Sequence, residues 1–278
     1  DAGGAAYPVD IETNAEGYRA FGDVHADRAK VLFLGDSFTH AMQVSNDRTY
    51  YGLLQEDLGI EAFALGVDGY GTLQEYLLLD RIIGDVKPDV VVLQFCPNDF
   101  INNHYDLELQ SAYNNNGLRR PYLVDGEIRY RTPASFPALR EFAARYSEFL
   151  YFIIKKVDLL GEPPTNPAER QIEEEGPLYR PFSESIVVTD KILARIRARI
   201  PEGTAVYAFA THHQYPYLDT FRALAEKNGI RFIDGTSQAV AAAEAEGLTT
   251  RSSDGAHWNN RGHRIVADVL KDYFQSSP

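Results

Sequence analysis

The chain has 278 residues, enough for one large α/β domain or two small ones, and its 44% hydrophobic and 24% charged content is that of an ordinary globular protein. Its 40 acidic residues against 27 basic ones give a formal charge of −13, which argues against nucleic acid or an anionic membrane as partner, since phosphate binding rests on Lys and Arg. The single cysteine, Cys96, excludes an intrachain disulfide and a cysteine-based metal site, and no stretch approaches the ~18 apolar residues of a membrane helix.

The chain opens on Asp1 followed by small residues to Ala6. That start reads as a processed terminus, and export to the periplasm or the extracellular space is the expectation. Residues 1–29 show no sustained periodicity and read as an irregular N-terminal arm packed on one domain spanning 1–278. A first strand is predicted over 30–34, ending on Gly35, followed by a helix over 47–58 that Gly59 stops. A second strand, 60–65, runs into a glycine-rich turn with Gly66, Gly69 and Gly71, and a helix over 73–84 follows. The β-branched run of 89–95 reads as a central strand buried on both faces.

Regularity then fails over about 100–180, too long for a plain loop, which predicts an inserted lid or side wall. Within it, residues 122–124 and 128–130 flank Asp125-Gly126 as a small hairpin. Next come one helix over 137–157 and a mobile stretch rich in proline and glutamate over 161–176. The aromatic stripe of 142–153 reads as core or lid packing rather than a ligand platform. The alternating pattern returns with helices at 183–199, 217–228, 236–246 and 260–274, and strands at 205–210 and 230–233. Five strands separated by helices imply a parallel sheet covered on both faces.

Ligands of such sheets bind outside the carboxyl ends of the strands. Ser37 follows the first strand, Gly66, Gly69 and Gly71 the second, and Asn98-Asp99 the third, while Asp254 and His257 precede the last helix. This is the inventory for acyl transfer. Ser37 is a poor nucleophile unless a base takes its proton, and imidazole titrates in the right range, so His257 is the candidate base. Asp254, three residues earlier, is placed to hold the other imidazole nitrogen. The Ser37 N–H, the Gly69 N–H and the Asn98 side-chain amide are the candidate oxyanion donors. Asp36 reads as a residue that orders the turn. Of the other histidines, His263 reads as a helix-face residue, His40 as pointing away from Ser37, and His212 and His213 as either pocket-lining or packed. Cys96 reads as a small buried residue. No spacing resembles a metal box and the glycines lack a dinucleotide-binding order, so no metal and no cofactor is expected.

Gly35-Asp36-Ser37-Phe38, Gly69, Asn98-Asp99 and Asp254-Gly255-Ala256-His257 together resemble the four blocks of the SGNH, or GDSL, hydrolase family, over about 30–100 and 180–275. The resemblance implies a flavodoxin-like three-layer α/β/α sandwich with a Ser37 nucleophile, an Asp254–His257 pair, and Gly69 and Asn98 as oxyanion donors. The arm segment Thr13 to Arg19 is similar to one that precedes the serine block in a bacterial branch. Phe38 replaces the family's leucine, and Cys96 stands where the third block often has glycine. The activity implied is hydrolysis of a carboxylic ester, such as deacetylation of a carbohydrate or cleavage of a short acyl ester. An O-acyltransferase acting on a glycan and a non-catalytic glycan-binding protein are the alternatives, and the oligomeric state is open.

Overall fold

The computed structural model describes residues 8–113, 117–160 and 167–276. Its strands are β1 (Ala20–Phe21), β2 (Lys30–Gly35), β3 (Glu61–Gly66), β4 (Val90–Phe95), β5 (Arg120–Val124), β6 (Glu127–Arg131), β7 (Ala205–Ala210) and β8 (Arg231–Phe232). The helices of the first half are α1 (Ser37–His40), α2 (Tyr50–Leu58), α3 (Thr72–Val86), α4 (Asn98–Asn102), α5 (Tyr105–Gln110), α6 (Pro137–Tyr146) and α7 (Glu148–Leu160). Those of the second half are α8 (Ala168–Glu175), α9 (Arg180–Arg199), α10 (Tyr217–Lys227), α11 (Thr236–Ala245) and α12 (Asn260–Ser276).

The main sheet has the order β1-β3-β2-β4-β7-β8. Every pair is parallel except β1 with β3. The five parallel strands are the five expected from the apolar runs, in the doubly wound order of a flavodoxin-like sheet. That order reverses between β2 and β4, where a crevice opens at the carboxyl ends. Alternate residues of one strand feed two separate cores, as a strand buried on both faces requires. Leu32 and Leu34 pack with Leu79 of α3, Ile192 and Ile196 of α9 and Phe221 of α10. Val31 and Phe33 pack with Tyr50 and Leu54 of α2, Val240 of α11 and Val266 and Leu270 of α12. Fully burying one such aliphatic side chain is worth about 1.5–3 kcal/mol, so the two layers hold the sheet edge rigid beneath the crevice.

The arm is less irregular than its sequence implies, because β1 adds an antiparallel edge to β3. The region 100–180 departs furthest from expectation. Its polar start folds into α4 and α5. The hairpin forms, with Asp125 at φ 52° and Gly126 at φ 82° in its turn, the two positive angles an Asp-Gly loop supplies. The single helix expected over 137–157 is two, because Ser147 adopts extended angles (φ −155°, ψ 92°) between α6 and α7. The aromatic stripe is not core: Phe142, Phe149 and Phe152 are 54%, 75% and 53% exposed. Of the segment expected to be mobile, residues 161–166 lie outside the described residues, and the remainder is α8 and a 3₁₀ turn, Gly176–Leu178. Ala168 and Ile172, one turn apart, enter the main core while the glutamates 173–175 face water.

Candidate active site

Ser37 is the first residue of α1, directly beyond β2. Asp36 is almost fully buried, and its carboxylate accepts the Phe38 N–H at 3.0 Å and so caps the helix. The Asp36 N–H is held in turn by Gln94 Oε1 of β4 at 3.2 Å, and the Thr39 hydroxyl donates to the same oxygen at 2.9 Å. The turn that carries Ser37 is therefore bolted to the neighbouring strand. Burial pushes the Asp36 carboxyl up, against hydrogen bonds from the Phe38 N–H and the side chains of Gln94 and Asn98 that favour its charge. Asp36 is the turn-ordering residue expected of it. The close fit of α1 against the end of β3 needs Gly66: a Cβ there would lie 2.1 Å from the His40 N.

Three residues separated by up to 220 positions form one hydrogen-bonded chain. His257 Nε2 lies 2.7 Å from Ser37 Oγ, and His257 Nδ1 lies 2.7 Å from Asp254 Oδ2. A carboxylate only accepts, so Nδ1 carries the proton and Nε2 is left to accept from the serine hydroxyl. The short loop before α12 makes this geometry locally. Asp254 Oδ1 accepts from Ser252 Oγ (2.7 Å) and from the backbone N–H groups of Ala256 (2.9 Å) and His257 (3.0 Å). Partial burial disfavours the Asp254 charge, but these bonds and the one from His257 outweigh it and hold the carboxyl well below the usual range. The imidazole rests on Phe38, ring centroids 5.1 Å apart, and Phe38 packs edge-on against the buried Trp258 at 4.7 Å.

Gly69 and Asn98 arrive from the adjacent strand ends. Gly69 is third in a turn closed by the Tyr70 N–H on the Val67 carbonyl at 3.1 Å, and its φ of +71° is one that only glycine takes without strain. Asn98 opens α4, its amide donating to Asn102 Oδ1 at 3.0 Å and also facing the Asp36 carboxylate. The loop with Cys96 in place of glycine is closed tightly, Asp99 N–H to the Cys96 carbonyl and Cys96 N–H to Asp99 Oδ2, both 2.9 Å. Cys96 itself is buried, and burial followed by the Asp36 charge pushes its thiol well up, so it stays protonated. Gly69 and Asn98 thus stand beyond the carboxyl ends of β3 and β4, the two strands that flank β2, on the edge that carries Ser37.

Four residues that the sequence does not flag complete the surroundings. Gln43 donates its amide to Asp254 Oδ2 at 3.1 Å. Arg19, in the arm, donates to the carbonyls of Ala41 and Val44 and to Asn46 Oδ1, pinning the loop that carries Gln43. Arg120 of β5 donates to the Gly69 carbonyl, and Glu108 of α5 pairs with it at 2.7 Å. His40 turns away from the serine, its Nδ1 2.8 Å from Asp68 Oδ1. His212 lies edge-on to Phe38 with Nδ1 2.8 Å from Thr211 Oγ1; burial, then the charges of Arg251 and His213, push its pKa down to about 4. His263 is on a face of α12 as expected, the buried one: it accepts the Tyr50 N–H at 3.2 Å, and burial lowers its pKa to about 3.

Residues 33–265 match the model of the GDSL-like Lipase/Acylhydrolase family. No curated protein sequence matches the chain. Among solved structures, the chain is similar to the psychrotrophic esterase EstA from Pseudoalteromonas sp., with 10% identity over 88% of this chain and 96% of that one and a TM-score of 0.48. It is similar also to a lipase/acylhydrolase from Enterococcus faecalis (13% identity, 89% and 95% covered, TM-score 0.49). A third is an acetylxylan esterase from Geobacillus stearothermophilus (13% identity, 87% and 92% covered, TM-score 0.45). With the family model covering most of its length and the sheet and strand-end chemistry in place, the chain belongs to the GDSL-like Lipase/Acylhydrolase family and is a carboxylic ester hydrolase.

Proposed function

We propose that the protein cleaves its ester through an acyl-enzyme on Ser37, with His257 as general base and acid and Asp254 as the group that fixes the imidazole. The observation that carries this reading is the pair of 2.7 Å contacts, Ser37 Oγ to His257 Nε2 and His257 Nδ1 to Asp254 Oδ2. His257 takes the serine proton as Oγ attacks the carbonyl carbon, and the Asp254 carboxylate stabilises the imidazolium that forms. The carbonyl oxygen becomes an oxyanion. Its donors are the N–H of Ser37, which precedes the first intrahelical bond of α1, the N–H of Gly69 and the amide of Asn98. His257 then returns the proton to the leaving alcohol. Water, activated by the same imidazole, releases the acid.

The acyl group we propose is short and the alcohol a carbohydrate, so that the reaction is a deacetylation. Support comes from the insertion, whose start is polar and rich in asparagine, with Tyr105 and Tyr113 within it. Ser37→Ala is the test: hydrolysis of p-nitrophenyl acetate and labelling by a fluorophosphonate should both vanish, and undiminished turnover overturns the assignment. Release of free acetate from an acetylated oligosaccharide, unchanged by an added sugar acceptor, tests the substrate and the choice of water as acceptor.

A further inference from the structure

The insertion buries a pair of opposite charges in the body of the protein. Arg120, in β5, has only 3% of its side chain exposed, and Glu108, in α5, has none. Removing such a pair from water costs several kcal/mol per ion, so a buried ion pair is a poor device for stability alone. What this pair does is visible in its bonds. Arg120 Nη1 donates to Glu108 Oε1 at 2.7 Å, while Nη2 donates to the carbonyl of Gly69. The two ends of one rigid guanidinium thus join the insertion to the turn after β3.

Glu108 carries the connection further. Its Oε2 accepts from the Tyr122 hydroxyl at 2.8 Å, which fixes the carboxylate plane, and the Asn102 amide also hydrogen-bonds to it. Asn102 Oδ1 accepts the Asn98 amide at 3.0 Å. One unbroken path therefore runs Asn98–Asn102–Glu108–Arg120–Gly69, and its two ends are the donors that lie outside the nucleophile helix.

Neither donor is oriented by its own strand. Gly69 has the widest conformational choice of any residue, and the peptide that presents its N–H is the central one of the Val67–Tyr70 turn, the peptide whose flip interconverts turn types. The Gly69 carbonyl that Arg120 holds and the Tyr70 N–H that closes the turn belong to the next peptide, so that plane is fixed and the Gly69 N–H, at φ +71°, is set against a rigid neighbour rather than a mobile one. Asn98 sits at the start of a five-residue helix; its amide faces the Asp36 carboxylate and bonds Asn102 Oδ1 at the helix's other end, and the Asn102 bond is the one tied to the insertion.

We infer that Arg120 is a positioning residue for the oxyanion hole: it clamps the Gly69 carbonyl and, through Glu108 and Asn102, holds the Asn98 amide, so the insertion completes the catalytic machinery as well as walling it. This rests on the reading of Gly69 and Asn98 as oxyanion donors.

The test is steady-state kinetics on p-nitrophenyl acetate with unfolding midpoints measured alongside. The double variant Arg120→Met, Glu108→Leu removes both charges and leaves none unpaired, so it is expected to fold. Arg120→Lys keeps the charge but loses the fork, and serves if the double variant does not fold. In either folded variant kcat should fall about 10- to 100-fold, below the roughly 10²–10³ of deleting a donor outright, with KM changed less than about threefold. Fluorophosphonate labelling of Ser37, which passes through the same geometry, should slow in parallel. A folded variant with wild-type kcat, or one with raised KM and unchanged kcat, overturns the inference. Asn98→Ala in the wild-type background separates the two readings: if it leaves kcat intact the donor assignment has failed, whereas a large loss there beside an unaffected Arg120 variant condemns only the positioning role.

Discussion

The carboxylate of Asp254 is held by five donors, and their division between its two oxygens predicts what Asp254→Asn does. Oδ1 accepts from Ser252 Oγ, Ala256 N–H and His257 N–H, at 2.7, 2.9 and 3.0 Å. Oδ2 faces His257 Nδ1 at 2.7 Å and Gln43 Nε2 at 3.1 Å. An asparagine has one oxygen and one NH₂, and must choose. The two backbone N–H groups cannot turn, and facing both with an NH₂ costs about 1–3 kcal/mol for each, so the oxygen takes the Oδ1 place by about 2 kcal/mol or more. The NH₂ then points at His257 Nδ1. Gln43 can rotate its amide to offer oxygen, but the imidazole can accept only by moving its proton to Nε2. Nε2 then no longer accepts from Ser37. Loss of the correct tautomer together with the imidazolium's counter-charge is expected to lower kcat by ~10⁴, about 5.4 kcal/mol of barrier, with KM changed only a few-fold. The assay is p-nitrophenyl acetate turnover across about pH 6–9, beside fluorophosphonate labelling. An Asp254→Asn enzyme retaining more than about a tenth of wild-type kcat refutes the tautomer argument.

Two further outcomes concern stability. Burial lowers the His263 pKa from 6.5 to about 3, so the unfolded chain takes up a proton that the folded one refuses between those values; stability is full above pH 6.5 and falls as pH drops. At about pH 4.5 the loss from this residue is about 2–3 kcal/mol, at roughly 1.36 kcal/mol per pKa unit. His263→Gln keeps an acceptor for the Tyr50 N–H, and its urea midpoint should fall less steeply than wild type between about pH 6.5 and 4.5; an identical slope would exclude His263 as the source. Arg19→Leu strips donors from the Ala41 and Val44 carbonyls and should destabilise the protein by roughly 3–5 kcal/mol at neutral pH, summing about 1–3 kcal/mol per buried acceptor left unsatisfied. Equilibrium unfolding reads this directly, and a change under about 1 kcal/mol would mean the loop is held by other contacts.

What the sequence makes legible here is what local chemistry encodes. Ser37 follows an apolar run and a glycine, and Asp254 and His257 share a loop three residues apart, so each announces itself within a few positions. Four of the five parallel strands are equally plain because their runs are buried along almost their whole length, and the fifth, β8, is a short edge strand with Arg231 exposed. Signals that depend on tertiary context are silent. Nothing in Ala41-Met42-Gln43 marks Gln43 as a partner of Asp254; its place follows from the loop shape that Arg19 imposes from a separate segment. Ser147 interrupts an apolar periodicity that continues on either side of it, so the sequence shows one helix where the chain makes two. The same periodicity marks an apolar face over 142–153 without saying whether anything covers it. In α8 only Ala168 and Ile172 reach the core, too few among glutamates to form a visible stripe. Arg120 looks like any charged residue at a strand start, since its value lies in a carbonyl 51 positions away.

The two arginines share a physical logic that also explains the residue type. Arg19 and Arg120 are both buried, and both end on backbone carbonyls rather than only on a carboxylate. Each therefore ties a loop through its main chain. The loop after α1 offers Ala41 and Val44, and the turn after β3 offers Gly69. A lysine ammonium could reach one such carbonyl but could not hold two acceptors in fixed relative directions, whereas a planar guanidinium does so by its shape. The parallel sheet delivers Ser37, Gly69 and Asn98 to one edge, yet it fixes only where their strands end. The last ångström of placement comes from segments outside the sheet, the arm for the loop beside Asp254 and the insertion for Gly69 and Asn98, the proposed oxyanion donors. Those segments belong to the catalytic machinery as much as the strands do.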